Sequence, residues 1–419
     1  MNNNAELNTL QRYLRLAVII IAAGAIYPLI YLRQNFEITI LETYGIDAFQ
    51  LGQCYSLLGV IFVATYIPSG WLADRVKPSI LMAFSLALAG LLGVWFASVP
   101  DFSALRWIFV GWGIATGLTF WVAHLKATML LARREEQGRF LGTLDAGRGL
   151  YEAILATIVV GVFAYAINSL GESNATALNR VIWIYVTCML VLSPIVFFML
   201  KESSTAKIGS QTADINLWVD LRTILSKPEV WLCGFCILTG YQLFWATYSF
   251  SAYMETNYGL TAVAVGTITV AKLWMRPIGA AAAGFVGDFL GRERVLGWLL
   301  LTAAIALGGM VMMPTTAGTT ALLGIVLLIG FLTYAVRGIF WATLDSCNID
   351  NRIKGLAIGI VSFIGYSPDI YLPLINGALV TRYPGKLGYD IYFTGIVVFG
   401  VLGAIAAWKL QRMVAAKQH

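Results

Sequence analysis

The chain has 419 residues, of which 59% are hydrophobic and 12% are charged, and its formal net charge is +6 at pH 7. A soluble domain carries about 25% charged residues, so this composition excludes an ordinary soluble protein. Apolar runs of roughly 20 residues alternate with short polar loops, which is typical of a polytopic helical membrane protein. We therefore expect an all-α chain embedded in a lipid bilayer.

The apolar runs predict twelve membrane spans. In chain order they cover approximately residues 14–41, 48–71, 79–98, 104–130, 139–167, 180–200, 229–255, 261–287, 295–313, 319–346, 354–380 and 390–410. The stretch 201–228 is polar and charged, which predicts a cytoplasmic linker with a short surface helix from about Leu217 to Leu225. We therefore predict an N-terminal six-helix bundle over 1–200, the linker 201–228 and a C-terminal six-helix bundle over 229–419.

The basic residues indicate topology rather than a nucleic-acid partner. Most of the 28 Lys and Arg lie in segments that are cytoplasmic if the N-terminus is inside, so the positive-inside rule predicts that both termini are cytoplasmic. We find no cleavage site after the first apolar run, which we expect to remain a span. The sequence shows no metal-ligand cluster, nucleophile–base pair or cofactor loop, so we expect no metal, no cofactor and no enzymatic activity.

A short phrase after the second span recurs after the eighth. Gly70, Asp74 and Arg75 of the first copy correspond to Gly284, Asp288 and Arg292 of the second, and the glycines and aspartates are 214 residues apart. The same offset relates other pairs: Tyr27 and Tyr241, Phe36 and Phe250, Tyr44-Gly45 and Tyr258-Gly259, Gly52 and Gly266. A hydrophobic chain whose second half repeats its first indicates a duplicated transporter bundle. We expect the glycines to allow close helix approach, and the aspartates to cap a helix or pair with an arginine in a cytoplasmic gate.

This repeated loop carries a resemblance to the major facilitator superfamily, which covers essentially the whole chain. The stretch Tyr31-Leu32-Arg33-Gln34-Asn35-Phe36, followed by Tyr44-Gly45-Ile46 and Gly52, is similar to the organophosphate:phosphate antiporters. In that family the arginine at the position of Arg33 binds the substrate phosphate. At the position of the family's second phosphate-binding arginine this chain has Thr247. At the position of the family's lysine in the second span it has Tyr66. Arg276-Pro277 resembles the eighth-span arginine that binds the carboxylate in carboxylate transporters of the same superfamily.

Charged side chains within the spans are the main functional candidates, because each costs on the order of 3 kcal/mol at the bilayer centre. Arg33 is a candidate anion ligand, and the alternatives are a snorkelling span end or an i,i+4 pair with Glu37. Lys272 and Arg276 are one turn apart and are expected to project from one helix face. The full set of candidate substrate ligands is Tyr27, Arg33, Tyr241, Trp245, Lys272, Arg276 and Arg337.

A second group of residues is expected to serve proton coupling or gating, namely Arg148, Glu152 and Asp369. Glu152 falls opposite Asp369 when the two halves are aligned at the starts of their fifth and eleventh spans. Asp145 and Arg148 are three residues apart, so an intrahelical ion pair is the main alternative for Arg148. Asp369 follows Gly365-Tyr366-Ser367-Pro368, which predicts a broken helix.

Together these features predict a secondary active transporter of a small organic anion that works by alternating access. Phosphate esters, sugar acids and other carboxylates are the expected substrates, and proton symport and anion exchange both stay open. The alternative is a proton-coupled exporter of lipophilic cations, and a sensor that does not translocate is a further rival. We expect a monomer in the bacterial inner membrane, with a eukaryotic organelle as the other location.

Overall fold

The computed structural model describes residues 8–133, 136–200, 217–347, 349 and 354–416. Regular structure within these ranges is helical, and helices lie at all twelve predicted spans. The short helix Leu217–Leu225 confirms the one predicted in the linker, whereas residues 201–216 of that linker lie outside the described residues. The all-α membrane fold predicted from composition is therefore confirmed.

Six of the twelve spans are single helices, and the other six are divided. The first half contains span 1 (Thr9–Ala25 and Arg33–Tyr44), span 2 (Ala48–Arg75), span 3 (Pro78–Ala97), span 4 (Phe102–Gly113, the π-helix Ile114–Phe120 and Trp121–Leu131), span 5 (Gln137–Asn168) and span 6 (Asn174–Met199). The second half contains span 7 (Pro228–Ala246, the 3₁₀ turn Thr247–Ser249 and Phe250–Tyr258), span 8 (Ala262–Leu273 and Met275–Leu290), span 9 (Arg292–Met312), span 10 (Thr319–Ile339 and the 3₁₀ helix Phe340–Cys347), span 11 (Lys354–Gly365 and Pro368–Arg382) and span 12 (Lys386–Ala416).

Ten of the described helical stretches are long and apolar enough to cross a membrane, and spans 1 and 8 are not among them. Span 1 is divided at residues 26–32, which include Pro28, and span 8 is divided at Trp274, three residues before Pro277. Proline lacks a backbone N–H and interrupts the helical ladder. The predicted spans therefore hold helices, but hydropathy did not indicate these interruptions, because it reports composition and not the continuity of the hydrogen bonds.

The repeat in the sequence reappears in the backbone. Gly45 and Gly259 end their helices in the left-handed region, with φ values of 62° and 63°. That conformation carries no steric cost in glycine, so both positions serve as helix C-caps. Phe36 leaves helical geometry (φ −139°, ψ 38°), and its partner in the repeat, Phe250, directly follows the 3₁₀ turn of span 7. Both copies therefore interrupt the helix at equivalent places.

The chain forms two compact units. The first comprises Met1–Leu32, Thr39–Ile46 and Leu57–Ser210, and the second comprises Arg33–Ile38, Asp47–Ser56 and Gln211–His419. Two short segments of spans 1 and 2 thus belong to the second unit. The bundle boundaries that we drew at residues 200 and 228 remain a prediction.

Small residues allow close helix packing inside the first unit. A Cβ atom at Gly93 of span 3 would lie 2.6 Å from Cγ2 of Val186 in span 6, so these helices meet where a side chain is absent. At one end of the unit the Arg12 guanidinium is hydrogen-bonded to Glu136 and holds the pKa of that carboxyl below its usual range.

Candidate functional site

Arg33 lies fully inside the second unit, with 2% of its surface exposed. Its Nη2 donates to both carboxylate oxygens of Glu37 at 3.0 Å, and its Cζ lies 5.1 Å from the centre of the Tyr55 ring. Its backbone carbonyl accepts a 2.8 Å hydrogen bond from Ser251 Oγ of span 7. The i,i+4 pair that we considered as an alternative is therefore confirmed, and Glu37, which the sequence left as structural, is the main partner of Arg33.

One donor of this guanidinium is not used. Arg33 Nε is buried and has no hydrogen-bond partner among the described residues. A buried unsatisfied donor costs about 1–3 kcal/mol, and more when charged, so an oxyanion that reached Nε would recover that free energy. The ion pair with Glu37 and a role in anion binding are thus compatible.

Asp369 is the centre of a second polar group, formed with aromatic side chains of span 7. It is 4% exposed, and its Oδ1 accepts hydrogen bonds from Tyr241 Oη at 2.8 Å and Trp245 Nε1 at 2.5 Å. The Tyr366 ring lies edge-on to Tyr241 with centroids 4.8 Å apart. Asp369 is the second residue of the helix that begins at Pro368, after the break that the sequence predicted. The break therefore delivers a carboxylate into an aromatic environment.

Arg337 of span 10 lies beside this group. Its Cζ is 4.2 Å from the centre of the Phe244 ring and 5.9 Å from that of Tyr241, and its charge acts on Asp369. Within the part of the chain that the structure describes, Arg337 forms no ion pair or hydrogen bond through its guanidinium. The aromatic rings pack on the planar face of the guanidinium, and the N–H donors at its edge remain available.

Lys272 is buried at 1% exposure and contacts span 7. Its Nζ donates to Thr247 through the backbone oxygen at 3.3 Å and through Oγ1 at 3.2 Å. A Cβ atom at Gly330 would lie 2.5 Å from Lys272 Cγ, so glycine at 330 makes room for this side chain. Arg276 is half-buried on the next helix, beyond the interruption at Trp274. The two cations that we expected on one helix face thus lie on consecutive helices of span 8.

The candidates of the first unit lie on spans 1 and 5. Arg148 Nη2 is 3.3 Å from Asp145 Oδ1, which confirms the intrahelical pair, and its Cζ lies 5.8 Å from the centre of the Tyr27 ring. Tyr27 also packs edge-on against Phe120 with centroids 6.3 Å apart. Glu152 is half-buried one turn further along span 5. The structure thus brings Tyr27 and Arg148 together.

The repeated loop motif forms one ion pair that differs from the expected arginine pairing and one that agrees with it. Asp74 Oδ1 lies 3.0 Å from Lys126 Nζ of span 4, rather than beside an arginine, and Asp288 pairs at 3.5 Å with Arg292 of its own loop. The Cζ atom of Arg75 lies 4.1 Å from the centre of the Trp71 ring. A Cβ atom at Gly70 or Gly284 would have nothing within 4 Å, so the expected close helix approach at these glycines was wrong.

The close approach occurs instead at Gly52, where span 2 meets span 11 within the second unit. A Cβ atom there would collide with the backbone carbonyl of Pro373. We expect Gly52→Ala to destabilise the protein by about 1–3 kcal/mol, because backbone atoms cannot yield as a flexible side chain does. The matched control is Gly161→Ala in span 5, where nothing lies within 4 Å and alanine should stabilise the helix by about 0.5–1 kcal/mol. Thermal unfolding in detergent measures both, and equal midpoints would contradict the close contact.

Within the described ranges, no group of three or more His, Cys, Asp or Glu side chains has metal-ligand geometry. The five cysteines are free, and Cys233 packs against Thr343 with its Sγ 3.3 Å from Oγ1. The polar groups described above are the candidates for binding, and their side chains suit charged or hydrogen-bonding molecules.

Comparison with known proteins agrees with these features. The sequence profile described as "Major Facilitator Superfamily" matches residues 16–373. The inner membrane protein YqcE of Escherichia coli (strain K12) is 25% identical over 94% of this chain and 94% of its own length, and the hexuronate transporter of Bacillus subtilis (strain 168) is 26% identical over 45% of this chain and 46% of its own. A bacterial homolog to the human lysosomal transporter Spinster, in an inward-facing and unoccupied conformation, gives a TM-score of 0.76 at 15% identity and covers 98% of this chain and 99% of its own. That last similarity concerns the fold alone.

Proposed function

The chain belongs to the major facilitator superfamily and is a membrane transporter, and from this premise we propose that it is a secondary active transporter of a small organic anion. A carboxylate or a phosphate ester enters a polar site within the spans and crosses by alternating access, with a proton or a counter-anion as the coupled species. The hexuronate transporter among the relatives, whose name denotes a sugar-acid substrate, supports the carboxylate class.

The observation that carries this proposal is the state of Arg337. A guanidinium within a membrane span costs free energy, which indicates a functional role. Arg337 is half-buried and packs on Phe244 and Tyr241, and no described carboxylate or carbonyl occupies its donors. Such an edge presents parallel N–H groups that match a carboxylate or phosphate in bidentate fashion. The nearby carboxylate of Asp369 faces two neutral donors instead.

Two further cations are arranged in the register of the repeat. Thr247 is the counterpart of Arg33, and Lys272 donates to Thr247 from span 8. A positive charge therefore lies at both repeat-related positions. At the first it is the guanidinium of Arg33, and at the second it is the ammonium group of Lys272, which is bonded to Thr247. This arrangement supports Arg33 and Lys272 as anion ligands, and we retain Tyr27, Tyr241, Trp245 and Arg276 in the proposed set.

For the coupled ion we propose Asp369 as the main proton carrier, with Arg148 and Glu152 in gating. Asp369 combines deep burial with neutral hydrogen-bond donors, an environment in which a carboxyl group exchanges its charged and neutral forms without an obligatory salt bridge. The loop residues Gly70, Asp74, Arg75, Gly284, Asp288 and Arg292 are proposed to latch one state through their ion pairs.

The test is uptake of labelled sugar acids, dicarboxylates and phosphate esters by proteoliposomes. We expect Arg337→Ala to lower uptake of the transported anion by about 10- to 100-fold, the equivalent of about 1.5–3 kcal/mol for a hydrogen bond to a charged group. Arg337→Lys should recover only part of the activity, since lysine keeps the charge and loses the fork. The matched control is Arg106→Ala, an exposed arginine that packs on Phe102. Full uptake in Arg337→Ala would remove this residue from the site.

A second candidate is a proton-coupled exporter of lipophilic cations, favoured by the environment of Asp369. A buried carboxylate bordered by Tyr241, Trp245 and Tyr366 offers both the charge and the aromatic faces that a cation prefers. The same proteoliposomes, loaded with a fluorescent lipophilic cation, discriminate the two. Proton-driven cation transport that survives Arg337→Ala and fails in Asp369→Asn would favour the exporter.

A further inference from the structure

An apolar groove of about 520 Å³ opens on the surface of the second unit, and its lining includes none of the polar groups described above. Trp231, Leu232 and Phe235 of span 7 line it, together with Ile364 of span 11 and Lys409 and Met413 of span 12. Span 7 begins at Pro228 and span 12 ends at Ala416, so the groove lies near one end of the bundle. At a rise of about 1.5 Å per residue, Lys409 is roughly 10 Å from the end of its helix. The apolar run of span 12 was predicted to end at about residue 410, so Lys409 lies where a lipid headgroup is expected.

The mouth of the groove carries positive charge, and no described residue of its lining is acidic. Lys409 is exposed, and among the described residues it has no ion pair or hydrogen bond through its ammonium group. Arg412 follows three residues later on the same helix and is also exposed. The acidic residue nearest in sequence to the groove lining, Glu229, is only 2% exposed and is not part of the lining. The groove therefore combines an apolar channel with a cationic rim.

Trp231 indicates that this rim lies at the membrane–water interface. Its side chain is 49% exposed, and its Nε1 donates a 2.8 Å hydrogen bond to the carbonyl of Leu225, the last residue of the short helix Leu217–Leu225. Tryptophan is enriched where the bilayer meets water. The bond holds the end of the short helix beside the groove, so the site is built from fixed elements and not from a loose surface depression.

We propose that this groove binds one anionic phospholipid, with an acyl chain between spans 7, 11 and 12 and the phosphate on Lys409. A polar metabolite fits poorly, because apart from Lys409 and Trp231 the lining side chains are apolar. A zwitterionic lipid also offers a phosphate, but its cationic headgroup balances that charge and leaves the positive charge of Lys409 and Arg412 uncompensated. Basic sites between membrane helices bind anionic headgroups in this way.

A lipid bound in the groove would affect the transport site through span 11. Ile364 forms part of the groove wall and directly precedes Gly365, where the first helix of this span ends. A Cβ atom at Gly234 of span 7 would touch Ile364 at 3.4 Å, so the wall is already in contact with span 7 on its inner side. An acyl chain on the outer side would complete the packing around the break that carries Asp369.

The proposal is tested by native mass spectrometry of the full chain with phosphatidylglycerol and with phosphatidylcholine of the same acyl chains. We expect one tightly retained phosphatidylglycerol, and about fivefold weaker retention in Lys409→Ala, which corresponds to the value of one lysine near an anionic headgroup. The matched control is Lys77→Ala, an exposed lysine before span 3, which should retain the lipid fully. Leu232→Trp, which fills the groove, should abolish tight retention.

Two results would overturn the assignment. Equal retention of both lipids by the unmodified chain would show an apolar groove that does not select charge. Equal weakening in Lys409→Ala and Lys77→Ala would show a general attraction to the positive surface of the protein. Both lysines are exposed, so neither variant is expected to impair folding.

Discussion

Arg33→Ala is expected to destabilise the folded protein by about 3–5 kcal/mol as well as to abolish anion uptake. Arg33 and Glu37 are both about 2% exposed at the side chain, and removal of the cation leaves the carboxylate buried without its partner. Thermal unfolding in detergent measures the loss.

A double variant separates the two roles of Arg33. Arg33→Met with Glu37→Met replaces the ion pair by apolar side chains of similar length, which is often neutral or stabilising for a buried pair. We expect its unfolding midpoint to return close to that of the unmodified protein while anion uptake stays absent. Recovery of uptake together with stability would show that Arg33 is a structural residue and not a ligand.

The largest effect on transport is expected from Asp369→Asn. Uptake driven by a proton gradient should fall by more than about tenfold, since an amide cannot bind and release a proton, whereas exchange of labelled for unlabelled substrate should persist. Asparagine keeps the side-chain oxygen that accepts hydrogen bonds from Tyr241 and Trp245, so the fold should be preserved. The measurement compares gradient-driven uptake and exchange in the same proteoliposomes.

Tyr241→Phe is the control for this experiment. It removes one of the two donors to Asp369 and leaves the carboxyl group itself, so gradient-driven uptake should decrease only in part. Gradient-driven uptake that is unchanged in Asp369→Asn would contradict the assignment and would move proton coupling to Glu152. Loss of both uptake and exchange would instead indicate that Asp369 contacts the substrate.

Several elements of this protein were readable from the sequence because each depends on local composition or spacing. The apolar runs predicted where helices lie, since the bilayer core demands about 20 apolar residues in helical form. Leu217–Leu225 and the break before Asp369 followed from charge and from Pro368. The spacing of Arg33 and Glu37, and of Asp145 and Arg148, already put each pair within reach on its own helix.

Other features were decided only by the tertiary structure, since they depend on residues distant in the chain. The donors to Asp369 come from span 7, and Lys272 reaches Thr247, which no local spacing could indicate. The close contact at Gly52 requires the backbone of Pro373, more than 300 residues away in the sequence. The sequence by itself therefore determined the fold class, the repeat and which charges enter the membrane, because hydropathy and helical spacing act locally. The tertiary structure decided which charges are neutralised, because pairing depends on distances between helices.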